Sequence, residues 1–210
     1  MVVTIVFYVS GHGLGHATRI IELLKVLAAR RPDVRLVVRT AAPLWLFQAS
    51  APGTVELATV DTDVGVVQVD SLTIDERETA IRAARFYRTF EERVAVEAAV
   101  LDAERATMVI GDIPPLAFAA AAHAGIPSVA IGNFTWDWIY GGYDGFDGLA
   151  PGVIDTIRGA YAAATRALRL PLHGGFEPMA AVTIDIPFIA RRSTGDRAGT
   201  RRTLGVPDDR

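Results

Sequence analysis

The chain has 210 residues, 50% of them hydrophobic, and a formal net charge of −3. That length suffices for one well-packed domain with a tail, and the mild acidity excludes a general attraction to nucleic acid or to an anionic membrane. Cysteine is absent, which excludes disulfides and thiolate metal sites. Of the 21 basic residues only Lys25 is a lysine, and it falls inside the first predicted helix. A Walker phosphate loop needs lysine straight after its last glycine, where this chain has His16.

Met1 leads directly into an apolar run too short to span a bilayer and without a basic lead. The expectation is a soluble, cytoplasmic chain with no integral membrane segment. Val2 to Val9 reads as a strand buried on both faces. Ser10 to Gly15 is a glycine-rich turn, and the spacing of Ile20, Ile21, Leu24 and Leu27 predicts an amphipathic helix from His16 to about Arg31. Val34 to Thr40 is a second strand, Ala42 to Ser50 a short helix, and Val55 to Val60 a third strand. Asp61 to Ser71 reads as a loop with a short extended piece near Val66 to Val69. Thr73 to Arg105 is helical in composition, as one helix or two. Arg82, Arg85 and Arg88 share a helical face there, read as solvated. Thr107 to Gly111, Leu116 to Ala124 and Pro127 to Gly132 predict strand, helix and strand. Asn133 to Gly148 reads as an aromatic and glycine-rich loop, Val153 to Leu168 as a helix and Ala181 to Ile186 as a last strand. From Pro187 the sequence reads as a linker. The alternation predicts an α/β, doubly wound parallel sheet of Rossmann type, with right-handed crossovers and ligands at the carboxyl edge of the strands.

That edge gathers the candidate site. Gly11, Gly13 and Gly15 permit positive φ and close backbone approach, and the helix start offers free N–H groups. His16 stands where turn becomes helix. An imidazole there can accept a proton from a substrate hydroxyl, or it can simply cap the helix. Asp112 ends the fourth strand, which this topology sets beside the first. Its carboxylate can fix the tautomer of His16, or it can cap the helix that follows Pro114 and Pro115. Trp136, Trp138, Tyr140 and Tyr143 offer flat rings, and Asn133 and Asp137 hydrogen-bonding groups, suited to a sugar, although some rings can equally cover the sheet edge. The turn also partly resembles a dinucleotide fingerprint, with Arg39 placed to meet an NADP phosphate; its third glycine comes one residue early.

Taken together, G-H-G-L-G-H-A-T-R, V-Q-V-D-S-L-T-I-D, V-I-G-D-I-P-P, S-V-A-I-G-N-F-T-W-D-W-I-Y and D-I-P-F-I-A-R-R resemble the N-terminal domain of a GT-B glycosyltransferase. In particular they resemble the glycosyltransferase-like domain that precedes arabinokinase-type sugar kinases. The resemblance implies an acceptor-binding Rossmann-like domain over residues 1–186 and an interdomain linker over 187–210, with the donor domain absent. It implies an inverting sugar transfer with His16 as base and Asp112 as its orienting partner. His12, Gly11, Gly13, Gly15, Arg19, Asn133, Trp136, Asp137 and Tyr140 are then acceptor-side contacts. It further implies a nucleotide sugar as co-substrate, no resident cofactor, no catalytic metal, a sugar or glycoconjugate acceptor, and a possible partner chain supplying the donor half. The alternatives are a non-catalytic sugar-binding or regulatory domain and an NADP-dependent oxidoreductase.

Overall fold

In the computed structural model, which describes residues 2–191 and 195–207, seven parallel strands lie in the order β3-β2-β1-β4-β5-β6-β7. They are β1 (Val3–Val9), β2 (Val34–Thr40), β3 (Glu56–Thr59), β4 (Met108–Asp112), β5 (Ser128–Phe134), β6 (Arg166–Gly174) and β7 (Thr183–Asp185). Helices cover both faces. On one side lie α1 (Gly15–Arg30) and α2 (Leu44–Ser50). On the other lie α3 (Glu76–Tyr87), α4 (Phe90–Ala103), α5 (Pro115–His123) and α8 (Val153–Ala162). The expected α/β doubly wound class is what the chain adopts.

The two cores follow from the pleat of β1. Phe7 and Val9 join Ile20, Ile21 and Leu24 of α1 on one face, while Val6 and Tyr8 join the α3–α5 layer on the other. Burying each large aliphatic side chain contributes about 1.5–3 kcal/mol, so the apolar stripe on α1 fixes which way that helix faces. Register then sets the edge. Val9 lies opposite both Thr40 of β2 and Asp112 of β4, so these strands end level with one another. Strand order reverses between β1 and β4, the place where a crevice opens in such sheets.

Three stretches differ from the sequence reading. The aromatic segment after β5 forms two short helices, α6 (Trp136–Gly141) and α7 (Phe146–Leu149), rather than a loop. Trp136 and Tyr140 are four residues apart, so they share a helical face and stack, with ring centroids 5.8 Å apart. The helix predicted to run to Leu168 ends at Ala162, and the chain enters β6 instead. Two arginines and Pro171 hide this strand in the sequence. Pro171 is tolerated because ladder pairing to β7 covers Ala167–Arg169 and pairing to β5 skips from Arg169 to Gly174. Within the segment read as linker, α9 (Arg197–Thr203) is a short helix capped by Asp196, which accepts from the Ala198 and Gly199 N–H groups. Residues 192–194 and 208–210 of that segment lie outside the described residues.

Candidate functional site at the carboxyl edge

The Ser10–Leu14 turn carries the chain from the end of β1 into α1. Ser10 N–H donates to the Asp112 carbonyl at 2.9 Å, tying the turn to β4. The glycines divide the expected tasks. Gly13 adopts φ +65°, and at Gly11 a side chain would press on Cβ of Ala41 at 2.8 Å. Gly15 is simply the exposed first residue of α1.

His16 and Asp112 meet. His16 Nδ1 and Asp112 Oδ1 are 2.8 Å apart, with the imidazole 5% exposed and the aspartate fully buried. A carboxylate accepts, so this bond places the proton on Nδ1 and leaves the Nε2 lone pair free in the neutral ring. Neither residue is spent on capping. The N-cap positions of α1 and α5, Leu14 and Pro114, have no side-chain cap, and the Asp112 carboxylate is turned toward α1. Arg19, three residues along the same helical face, places Nε 2.9 Å from Asp112 Oδ2. The angle is poor for a hydrogen bond, so this contact is an ion pair. Arg19 Nη1 also donates to Asn133 Oδ1 at 3.2 Å, joining the end of β5 to the group. Gly15, Thr18, Arg19 and Asn133 line a cavity of about 300 Å³ with Leu170 and the Phe188–Arg191 stretch.

The aromatic residues distribute differently from the sequence expectation. Trp136 and Tyr140 are each 1% exposed, so their flat faces are closed to solvent. Trp136 lies edge-on to His12 and Phe134, with centroids 5.7 and 5.1 Å away, and 6.4 Å from the His16 ring. It walls the imidazole instead of offering a platform. The Tyr140 hydroxyl donates to the Gly65 carbonyl at 2.7 Å. Asp137 is buried and borders a separate groove with Trp138 and Arg158.

A part-buried carboxylate that no motif announced completes the arrangement. Asp63, in the loop after β3, accepts from the Trp136 indole N–H at 2.9 Å, and the Ser10 side chain and the Gly11 backbone N–H favour its charged form. Burial pushes its carboxyl above the ordinary aspartate value, against the pull of these bonds and of His16. The same loop presses on the glycine turn. Val66 N–H donates to His12 Nδ1 at 3.4 Å, and a side chain at Gly65, already at φ +66°, would lie 2.5 Å from His12 Cβ. Burial, then the nearby His16, lowers the His12 imidazole below its usual value. The sequence signal was limited to Gly65 in an otherwise patternless loop.

Arg39 lies away from this edge group in its bonding. Its Nε and Nη2 donate to Glu97 Oε2 and Oε1 at 2.7 and 2.8 Å, and Tyr8 donates to the same carboxylate. A guanidinium engaged by both oxygens of a buried glutamate has no fork to offer an NADP phosphate, so the oxidoreductase reading loses its phosphate anchor.

No protein-family model matches the chain. Over 97% of its length it is 35% identical to L-arabinokinase of Arabidopsis thaliana, of which it spans 20%. Among solved structures it is similar to a UDP-glucosyltransferase from Polygonum tinctorium capable of glucosylating indoxyl, with a TM-score of 0.55, 12% identity, and coverage of 97% of this chain and 56% of that one. It is similar to MurG of Acinetobacter baumannii, with a TM-score of 0.50, 11% identity, and coverage of 90% and 47%. A UGT transferase from Siraitia grosvenorii in complex with UDP gives a TM-score of 0.50, 11% identity, and coverage of 96% and 55%. The chain thus spans about half the length of these transferases and a fifth of the kinase. Its architecture is that of a GT-B-like, Rossmann-type domain, homologous in sequence to a part of L-arabinokinase.

Proposed function

We propose that this chain is the acceptor-binding half of an inverting glycosyltransferase, with His16 as the general base. The observation that carries the reading is the buried 2.8 Å contact between His16 Nδ1 and Asp112 Oδ1 at the point where strand order reverses. In the proposed step the acceptor hydroxyl gives its proton to His16 Nε2 while its oxygen attacks the anomeric carbon of a nucleotide sugar. The bond from that carbon to the donor phosphate oxygen breaks, and the nucleoside diphosphate leaves with the electron pair. Asp112 holds the ring by Nδ1 and balances the imidazolium as it forms. Arg19 and Asn133, bordering the adjoining cavity, would orient the acceptor.

The donor site belongs, in this reading, to a second domain or chain facing the carboxyl edge. Support comes from apolar side chains about half exposed or more that rim it: Leu14 after β1, Trp45 after β2, Leu72 after β3 and Leu172 near the end of β6. Apolar groups gathered on one edge mark an interaction surface.

The test is transfer of sugar from a panel of nucleotide sugars by a protein that includes the donor half. His16→Ala is expected to reduce turnover about 10²–10⁴-fold with the circular dichroism spectrum retained. Turnover within a few-fold of the parent refutes the role of His16. The name of the sequence relative, a kinase, favours a second reading in which this domain recognises a sugar without transferring one. That reading expects acceptor binding and no transfer with any donor.

A further inference from the structure

A groove of about 1110 Å³ lies on the flank of α6, bordered also by the start of α3, by α8 and by the 3-10 turn Glu177–Val182. It shares no lining residue with the cavity beside Arg19 and Asn133. Trp138 stands in its wall, 52% exposed and braced from behind by the backbone of Gly174, where an added side chain would meet the indole at 2.5 Å. Tyr143, half-buried, is a second aromatic ring, and Gly141, Gly142, Gly159 and Ala162 add small residues to the wall.

Asp137 makes the groove more than an apolar recess. It is 2% exposed, yet its Oδ2 has only a long 3.4 Å contact from Arg158 Nε, and its Oδ1 has no hydrogen-bond partner among the described residues. A buried carboxylate with one oxygen unanswered is costly unless something completes it. Arg158, itself half exposed, and the carboxylates of Glu76 and Glu177 border the same space.

We infer that this groove is a carbohydrate-binding subsite separate from the His16 centre. An exposed indole presents a flat apolar surface to the C–H face of a sugar ring, and Tyr143 adds a second. Sugar hydroxyls are the donors that Asp137, Glu76 and Glu177 call for, while Arg158 donates to ring or hydroxyl oxygens. The set is a few converging polar groups in a mostly apolar wall, the usual composition of a small-molecule site. Carboxylates outnumber the guanidinium, which selects neutral sugars over phosphorylated or uronic ones. The subsite stands whether or not His16 is a base.

The test is titration of this chain with xylose, arabinose, glucose, galactose and cellobiose, followed by NMR of the indole N–H signals, each assigned by a Trp→Phe variant. At least one sugar is expected to shift the Trp138 signal in a saturable way. With affinity measured by titration calorimetry, which needs no indole signal, Trp138→Ala and Asp137→Asn should each weaken that binding tenfold or more, Trp138→Phe should keep it within about threefold, and His16→Ala should leave it unchanged. Absence of a saturable shift at 100 mM of every sugar overturns the subsite. So does binding that survives both Trp138→Ala and Asp137→Asn, or that His16→Ala alone removes. Since Asp137→Asn preserves shape, loss of binding with unchanged thermal unfolding separates recognition from misfolding.

Discussion

At the scale of single residues, the site is a set of side chains held by one carboxylate. Asp112 receives His16 on one oxygen and faces Arg19 with the other, so Asp112→Asn should release the imidazole orientation while leaving its volume filled. A loss of turnover with little change in acceptor affinity is the expected kinetic signature, read in the complete transferase. A rise in KM at unchanged kcat would contradict it. His12 gives a pH prediction from the chain alone. Its imidazole lies below 6.5 when folded, so the unfolded chain binds more protons between the folded value and 6.5. Stability from this group is therefore fully present above 6.5 and is lost as pH falls through the folded value. Asp63, raised by burial above 3.8, acts in the opposite sense: its contribution declines as pH rises from 3.8 through the folded value. Comparing urea unfolding of the parent with His12→Gln at pH 5 and 7.5 isolates the histidine. The parent should lose more stability on acidification than the variant, and equal losses would refute the assignment. His16 with Asp112 was legible in sequence because strand ends in a parallel sheet are predictable. Asp63 was not, since its partners Ser10, Gly11 and Trp136 come from segments brought together only by folding.

At the scale of elements, the loop after β3 is the least legible part and among the most consequential. It lacks helical or alternating pattern, yet Thr62 donates to the Val9 carbonyl at 3.1 Å and Gly65 packs on His12. Gly65→Ala combines an unfavourable left-handed φ with a clash, and should destabilise the fold by about 1–3 kcal/mol. Gly13→Ala has a similar φ but open space around it, so it should cost less. Chemical denaturation of the two variants checks the order, and equal costs would show that the loop yields freely. Helix α6 shows a different limit of sequence reading. Glycines and alternating aromatics suggested a loop, but burial of Trp136 and Tyr140 on one helical face decided the conformation. Local composition lost to tertiary packing there, and two of the four rings that could have met a sugar, Trp136 and Tyr140, became the wall behind the histidines. Strand β6 was hidden for the converse reason: its proline lies at a position the ladder leaves unpaired.

At the scale of the whole molecule, the class and the placing of β4 beside β1 followed from alternation of apolar strands and amphipathic helices, because that pattern admits few packings. The rim of exposed apolar side chains at the carboxyl edge could not be read from sequence, since Leu14, Leu72 and Leu172 look like ordinary core residues there. Leu72→Ser with Leu172→Ser should leave unfolding stability within about 0.5 kcal/mol, while lowering turnover once a donor half is present. A large loss of stability would place these residues in the core of this domain instead of at an interface. The proposed chemistry itself is accessible in this chain without substrate. In a ¹⁵N-labelled sample, the neutral form of the His16 ring should carry its proton on Nδ1, held by Asp112, with Nε2 bare, and the preference should be lost in Asp112→Asn. A ring protonated on Nε2 instead has no lone pair to offer an acceptor hydroxyl, and would contradict the assignment of His16 as the base.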